Sequence, residues 1–257
     1  MKRVLLTVAY DGTAYHGWQV QDGAHTIESE LNRAIEEITH EKVEVSGASR
    51  TDAGVHAMGN LAVFDTNARM PAEKFSYALN THLPDDIKVV ASREVAADFH
   101  PRFVQTEKTY CYRICNSEFP NPLKRLYTHY SYTKMDTDLM QRAADYLVGE
   151  HDFKSLSSIH TQAKTTVREI TAAKVERVDD EIRITVKGYG FLYNMVRIIA
   201  GTLMEIGAGK YPPEKMQEIL DACDRNAAGP TAPACGLTLV EIKILDPCFY
   251  PVFGIQW

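Results

Sequence analysis

The sequence holds no C-x-x-C pair, no H-E-x-x-H and no G-x-S-x-G. Without C-x-x-C, and with an odd total of five cysteines (Cys111, Cys115, Cys223, Cys235 and Cys248), it reads neither as a zinc knuckle nor as a secreted disulfide scaffold. Thiols in a reducing compartment are the expectation. The other two absences exclude the zincin helix and the nucleophile elbow of serine hydrolases. Gly207-Ala208-Gly209-Lys210 has Tyr211 where a phosphate loop places Ser or Thr. Gly188-Tyr189-Gly190 has Tyr193 where a dinucleotide fingerprint places its third glycine. Long apolar runs are also missing. Val196 to Leu203 is broken by Arg197 and Gly201 and is too short for a bilayer. The start, Met1-Lys2-Arg3-Val4-Leu5-Leu6, reaches Asp11 too soon for a signal peptide. Positive charge is scarce: 28 Lys and Arg against 34 Asp and Glu give −6. That argues against binding nucleic acid by bulk charge, though a local basic cleft remains open.

What is present describes a globular chain of 257 residues with 45% hydrophobic residues, 24% charged residues and 15 Gly. Strands are expected at Val4–Tyr10, Val43–Ser46, Asn60–Phe64, Ile87–Val95, Thr109–Ile114 and Leu237–Ile244. Thr171–Val178 and Ile182–Lys187 form a hairpin around Asp179-Asp180. Ile27, Leu31, Ala34, Ile35 and Ile38 recur at helical spacing behind the cap Thr26, which predicts a helix to Thr39. Further helices are expected at Pro71–His82, Asp136–Leu147, Phe191–Gly207 and Pro213–Cys223. The interspersed order and the hairpin give an α+β fold. It has two similar halves, residues 1–103 and 104–257, with a mixed, mostly antiparallel sheet flanked by helices.

Four segments concentrate chemistry. Gly47 to Ala57 carries Arg50, Thr51, Asp52 and His56 among small residues that permit close approach of another molecule. It reads either as a reactive loop or as a tight turn in which Asp52 bonds its own backbone. Tyr10 to Gln19 is either a base-stacking platform or a turn with Trp18 packed inward. On Lys108 to Arg113, alternation puts Lys108, Tyr110 and Tyr112 on one face. Arg197 on an apolar helix needs a partner, either a structural group or a catalytic carboxylate.

Together these segments resemble the tRNA pseudouridine(38–40) synthases. The matching motifs are Y-D-G-T-x-Y-x-G-W-Q at Tyr10–Gln19, R-T-D-A-G-V-H-A at Arg50–Ala57 and L-N-x-x-L-P-x-D-I at Leu79–Ile87. They continue with F-H-x-R-F at Phe99–Phe103, K-x-Y-x-Y-R-I at Lys108–Ile114, N-M-V-R-I-I-A-G at Asn194–Gly201 and G-L-T-L-V at Gly236–Val240. The resemblance implies the pseudouridine synthase fold, with the Asp loop on the first half, the base-packing Tyr and helical Arg on the second, and a cleft between them. It implies Asp52 as the catalytic group, Arg50 beside it holding the extruded nucleotide, Tyr110 packing on the base and Arg197 pairing with Asp52. Leu237 is implied as a further substrate contact. The implied reaction needs no cofactor or metal. The implied partner is tRNA, not DNA or a membrane, with the enzyme acting as a cytoplasmic homodimer. Ser49 stands where many members carry Gly. The apolar tail from Cys248 to Phe253 is expected to pack in a dimer interface or in the core.

Overall fold

The computed structural model describes residues 1–159 and 163–245; the tail from Cys248 lies outside them. The chain divides into two compact units. One is Met1–Glu107 with the segment from Leu239 on, and the other is Lys108–Thr238.

The first unit begins with β1 (Lys2–Tyr10), whose apolar residues Val4, Leu5, Leu6 and Val8 are buried. Helix α1 (Ile27–Thr39) follows, with the Thr26 side chain accepting from Ser29 N–H and Ser29 answering the cap's own N–H. Next come β2 (Ser46–Gly47), β3 (His56–Thr66), α2 (Phe75–Leu79) and β4 (Ile87–Val95). Strand β1 is central, antiparallel to β3 on one side and to β4 on the other. Its pairing with β3 slips between Val8 and Tyr10, where the chain leaves for the Tyr10–Gln19 segment. Ile27, Leu31, Ile35, Phe64 and Phe75 fill the core, with the two Phe rings edge to face.

Three expectations are corrected here. The strand expected from Val43 is only Ser46–Gly47, because Val45 N–H donates to Asn32 of α1 (2.9 Å) instead of to a strand. The helix expected over Pro71–His82 is a 3₁₀ turn at Ala72–Lys74 followed by the short α2. Just past its end, the Asn80 amide takes both backbone groups of Val89 on β4 (2.8 and 3.0 Å). The strand expected at Asn60–Phe64 is longer, beginning at His56.

The second unit is built on β5 (Thr106–Cys115), β6 (His129–Tyr130), α3 (Thr137–Asp145), β7 (Gly149–Asp152), β8 (Val167–Val178), β9 (Glu181–Gly188), α4 (Met195–Gly207) and α5 (Lys215–Ala222). Strand β10 (Leu237–Ile244) closes the order. The path β5–β9–β8–β7 is antiparallel throughout, and β6 joins β5 in parallel. The hairpin turns at Asp179, whose φ of 54° is left-handed. Helix α4 starts at Met195 rather than Phe191, because Asn194 also takes a left-handed φ of 60°. The four described cysteines are free thiols.

Beside the hairpin Glu181 is 3% exposed and meets Arg113, Lys124 and Arg183 at 2.9, 3.0 and 3.2 Å. Burial alone raises its carboxyl. Hydrogen bonds from Lys124 and Arg113 and the charge of Arg113 overcome this and hold it below its ordinary value. A depressed carboxyl stabilises the fold above its unfolded value, near 4.3, and loses that contribution as pH falls through the folded value. Glu181→Gln is expected to cost about 2–3 kcal/mol in urea unfolding at pH 7. The gap to wild type should close as the pH is lowered well below 4. A gap independent of pH contradicts the assignment.

Candidate active site

Inside the first unit, the Tyr10–Gln19 segment and the loop from Ala48 to Val55 lie backbone against backbone. Glycine permits this. A Cβ on Gly12 would stand 2.0 Å from the Val55 carbonyl oxygen, and one on Gly17 would stand 2.6 Å from that of Thr51. Gly17 also holds a φ of +88°. Trp18 N–H donates to the Thr51 carbonyl (3.0 Å), Gly54 N–H to that of Tyr15 (3.3 Å) and Val55 N–H to that of Asp52 (3.1 Å). The Tyr10 and Thr51 hydroxyls are 2.8 Å apart. Asn60, fully buried on β3, donates to the Ser49 carbonyl at 2.9 Å. Gly12 N–H points at His56 Nδ1 (3.1 Å), and the Asp11 carboxylate lies equally close to that nitrogen. The two compete: a bare Nδ1 accepts from Gly12, whereas a protonated one donates to Asp11.

The result is a loop buried at Ser49, Thr51, Val55 and His56, with Asp52 half-buried and Arg50 exposed. Tyr10, Tyr15 and Trp18 are at most 5% exposed, so the aromatic residues of the first segment pack inward and brace the loop. The Tyr15 hydroxyl donates to Asp86 at 2.6 Å; burial and that carboxylate push its pKa up. Beside the loop, in the same unit, lies a cleft of about 400 Å³ lined by residues that include Trp18, Glu28, Asn32, Arg50 and Arg102. Burial pushes the Glu28 carboxyl up, while Val20 N–H (2.8 Å), the Trp18 side chain and the Arg50 charge pull it down.

In the second unit the two tyrosines of β5 are both buried. The Tyr110 ring meets Phe191 edge to face at 5.0 Å. Tyr112 is a strut: its hydroxyl donates to the Pro233 carbonyl (2.8 Å), burial raises its pKa, and Gly236 is pressed on its ring. Arg197, in the first turn of α4, donates from Nε to the Ala232 carbonyl (2.8 Å) and from Nη1 to Asn194 Oδ1 (2.9 Å). Ala232 N–H returns to the Arg197 carbonyl at 3.0 Å. One turn on, a Cβ on Gly201 would stand 1.9 Å from the Pro230 carbonyl oxygen, so the segment bearing Ala232 lies flat on the helix. Leu237 opens β10 and is buried. Arg50 and Asp52 thus share a loop of the first unit, while Tyr110, Arg197 and Leu237 belong to the second.

Sequence reasoning passed over Asn60, Glu28 and Asn194 and gave Arg102 no role. Asn60 carries a signal as a polar residue inside an apolar strand pattern, and Asn194 and Arg102 each stand in a matched motif. Among the described residues no cluster of three His, Cys, Asp or Glu is placed to hold a metal.

Gly12→Ala is expected to lower unfolding stability by about 2 kcal/mol or more, because the Cβ meets backbone that cannot swing aside. Gly23→Ala is the control. It has a φ of +70° and nothing within 4 Å of the added carbon, and should cost only about 1 kcal/mol. Equal losses in urea titrations of the two variants would show that no clamp exists at Gly12.

A family model described as tRNA pseudouridine synthase matches residues 6–104 and 143–243. A protein named tRNA pseudouridine synthase A from Acetivibrio thermocellus is 50% identical over 242 residues, covering 94% of this chain and 99% of its own. Those from Clostridium perfringens (tRNA pseudouridine synthase A 2) and Brevibacillus brevis (tRNA pseudouridine synthase A) are 45% and 46% identical, with the same coverage. With six of its seven motifs inside the family model's spans, all but Lys108–Ile114, and a relative 50% identical over 94% of its length, the chain belongs to the tRNA pseudouridine synthase family.

Proposed function

We propose that the chain isomerises uridine to pseudouridine at positions 38–40 in the anticodon stem-loop of tRNA, with Asp52 as the catalytic group. The observation that carries this reading is the braced loop. Its backbone is fixed by Gly12, Gly17 and Asn60, and it leaves Asp52 half-open to solvent. The family relationship over 94% of the chain supplies the substrate class.

In the reaction the N1–C1′ bond breaks, the uracil turns, and C5 bonds to C1′. C5 gives up its proton and N1 gains one. Composition and redox state are unchanged, so the reaction itself requires no cofactor. The carboxylate acts as a nucleophile at C1′ or C6, or removes a sugar proton to give a glycal. A stem uridine must first be extruded, at a cost of about a few kcal/mol. Arg50, exposed beside Asp52, occupies the vacated space or clamps a phosphate. Arg197 pairs with Asp52 and keeps it ionised, because a nearby cation favours the charged carboxylate. Hydrogen bonds to Ala232 and Asn194 support this role by fixing the guanidinium plane. Tyr110 packs its ring on the base, and Leu237 adds an apolar contact. The same reading carries a cytoplasmic homodimer that binds tRNA across both copies, which size-exclusion chromatography with and without tRNA tests.

Asp52→Asn and Asp52→Ala are expected to abolish pseudouridine formation, followed by mass spectrometry with chemical mapping, while tRNA affinity stays within about tenfold. Turnover of Asp52→Asn near the wild-type rate removes Asp52 from the mechanism. Arg197→Met should cost activity as well.

Tyr110 separates two roles. If its hydroxyl moves the C5 proton, Tyr110→Phe binds tRNA normally and stalls after the glycosidic bond breaks. If the ring only stacks, worth about 1–3 kcal/mol per base, Tyr110→Phe turns over and Tyr110→Ala fails. Full activity of Tyr110→Ala would exclude both.

A further inference from the structure

The cleft of about 400 Å³ beside the Asp52 loop is more than a by-product of packing. Two arginines distant in sequence, Arg50 and Arg102, both line it and are both exposed. Neither guanidinium makes a hydrogen bond or ion pair with another described residue, in a chain where acidic residues outnumber basic ones. Glu28 and Glu44 line the same cleft and the Arg50 charge acts on Glu28, but neither carboxylate closes an ion pair with either guanidinium, so the N–H groups of both arginines stay available to an anion that bridges them. The rest of the lining has a different character. The Glu28 carboxylate is held by Val20 N–H, and the Asn32 carbonyl by Val45 N–H, and both line the same space. Such acceptors suit a ligand that carries N–H donors as well as negative charge. The volume suits one small polar unit, neither a bare ion nor a folded peptide.

We propose that this cleft takes a single nucleotide of the substrate strand adjoining the target uridine, with its phosphate between Arg50 and Arg102 and its base edge against Glu28 and Asn32. The inference rests on the functional reading above and deepens it. Arg50 lies two residues before Asp52, so a strand that delivers its uridine to Asp52 runs past Arg50. A loop nucleotide beside the target can be splayed from the stack and read on its edge. Arg50 then works on two sides. It stands next to the reacting nucleotide and shares the neighbouring phosphate with Arg102. Arg102, which has no part in the chemistry, becomes a positioning residue that sets the strand's register over Asp52.

The test is a scan of anticodon stem-loop RNAs, each carrying one uncharged methylphosphonate. Wild-type protein is expected to lose affinity on the order of tenfold at one linkage next to the target. Arg102→Ala should bind the unmodified RNA more weakly by a similar factor and show no further loss at that linkage. Arg102→Lys should restore part of the discrimination. The slope of log Kd against log salt should fall in magnitude by about 0.7 in Arg102→Ala, as for one lost phosphate contact on a single strand. Because Arg102 is exposed, the variant should unfold with wild-type stability. An Arg102→Ala protein that keeps the wild-type profile at every linkage, with an unchanged salt slope, overturns the proposal. Pseudouridine formation by wild type on the unmodified RNA is measured alongside. If it occurs without the coupling, only the cleft assignment fails. If it does not occur, the functional reading fails and takes the cleft assignment with it.

Discussion

The architecture of the first unit turns on one close approach, the backbone of Gly12 and Gly17 against the carbonyls of Val55 and Thr51. No side chain fits between them. The path of the Asp52 loop is therefore set by main-chain groups. The buried Tyr10, Tyr15 and Trp18 are wedges that keep the two segments in contact. In the role proposed for Asp52, a carboxylate positioned by backbone geometry needs little reorganisation, which is what a preorganised site requires. Asn60 completes the brace from β3 by holding the Ser49 carbonyl, one residue before Arg50.

The second unit repeats the device on a helix. Gly201 and Gly229 let the segment from Gly229 to Ala232 lie on α4, where Gly229 N–H donates to the Thr202 hydroxyl (3.0 Å) and that hydroxyl to the Ile198 carbonyl (2.8 Å). Arg197 is oriented by the same segment through Ala232. Charge follows a similar logic of placement. A net −6 gives no general attraction for a polyanion, so positive groups matter where they are placed, and Arg50 and Arg102 line one cleft.

Much of this was readable in the sequence where the signal is local. The β-branched and apolar runs Ile87–Val95 and Leu237–Ile244 match β4 and β10 to the residue, and the apolar stripe behind Thr26 marks α1. The short strands at His129–Tyr130 and Gly149–Asp152 were not visible, because neither has an apolar alternation and each exists through its partner strand. The Pro71–His82 helix was overextended because its end is set by Asn80 reaching β4, a tertiary event. In the site, Arg50 and Asp52 stand out as a dense motif. Glu28, Asn32 and Arg102 do not, because their shared cleft exists only after folding brings α1, the Arg50 loop and the segment at Arg102 together. Inward packing of Tyr10–Gln19 was one of two open readings, and the hydrogen bonds from Trp18 and Gly54 explain why it holds.

The most direct test of the central claim follows one atom. Forming the C5–C1′ bond expels the hydrogen at C5, so tRNA transcribed with uridine tritiated at that carbon must release label to water. The account predicts that wild-type protein, with no added cofactor, releases one tritium for each pseudouridine formed and leaves the mass of unlabelled tRNA unchanged. Absence of release, or release accompanied by a change in the mass of the RNA, would contradict it.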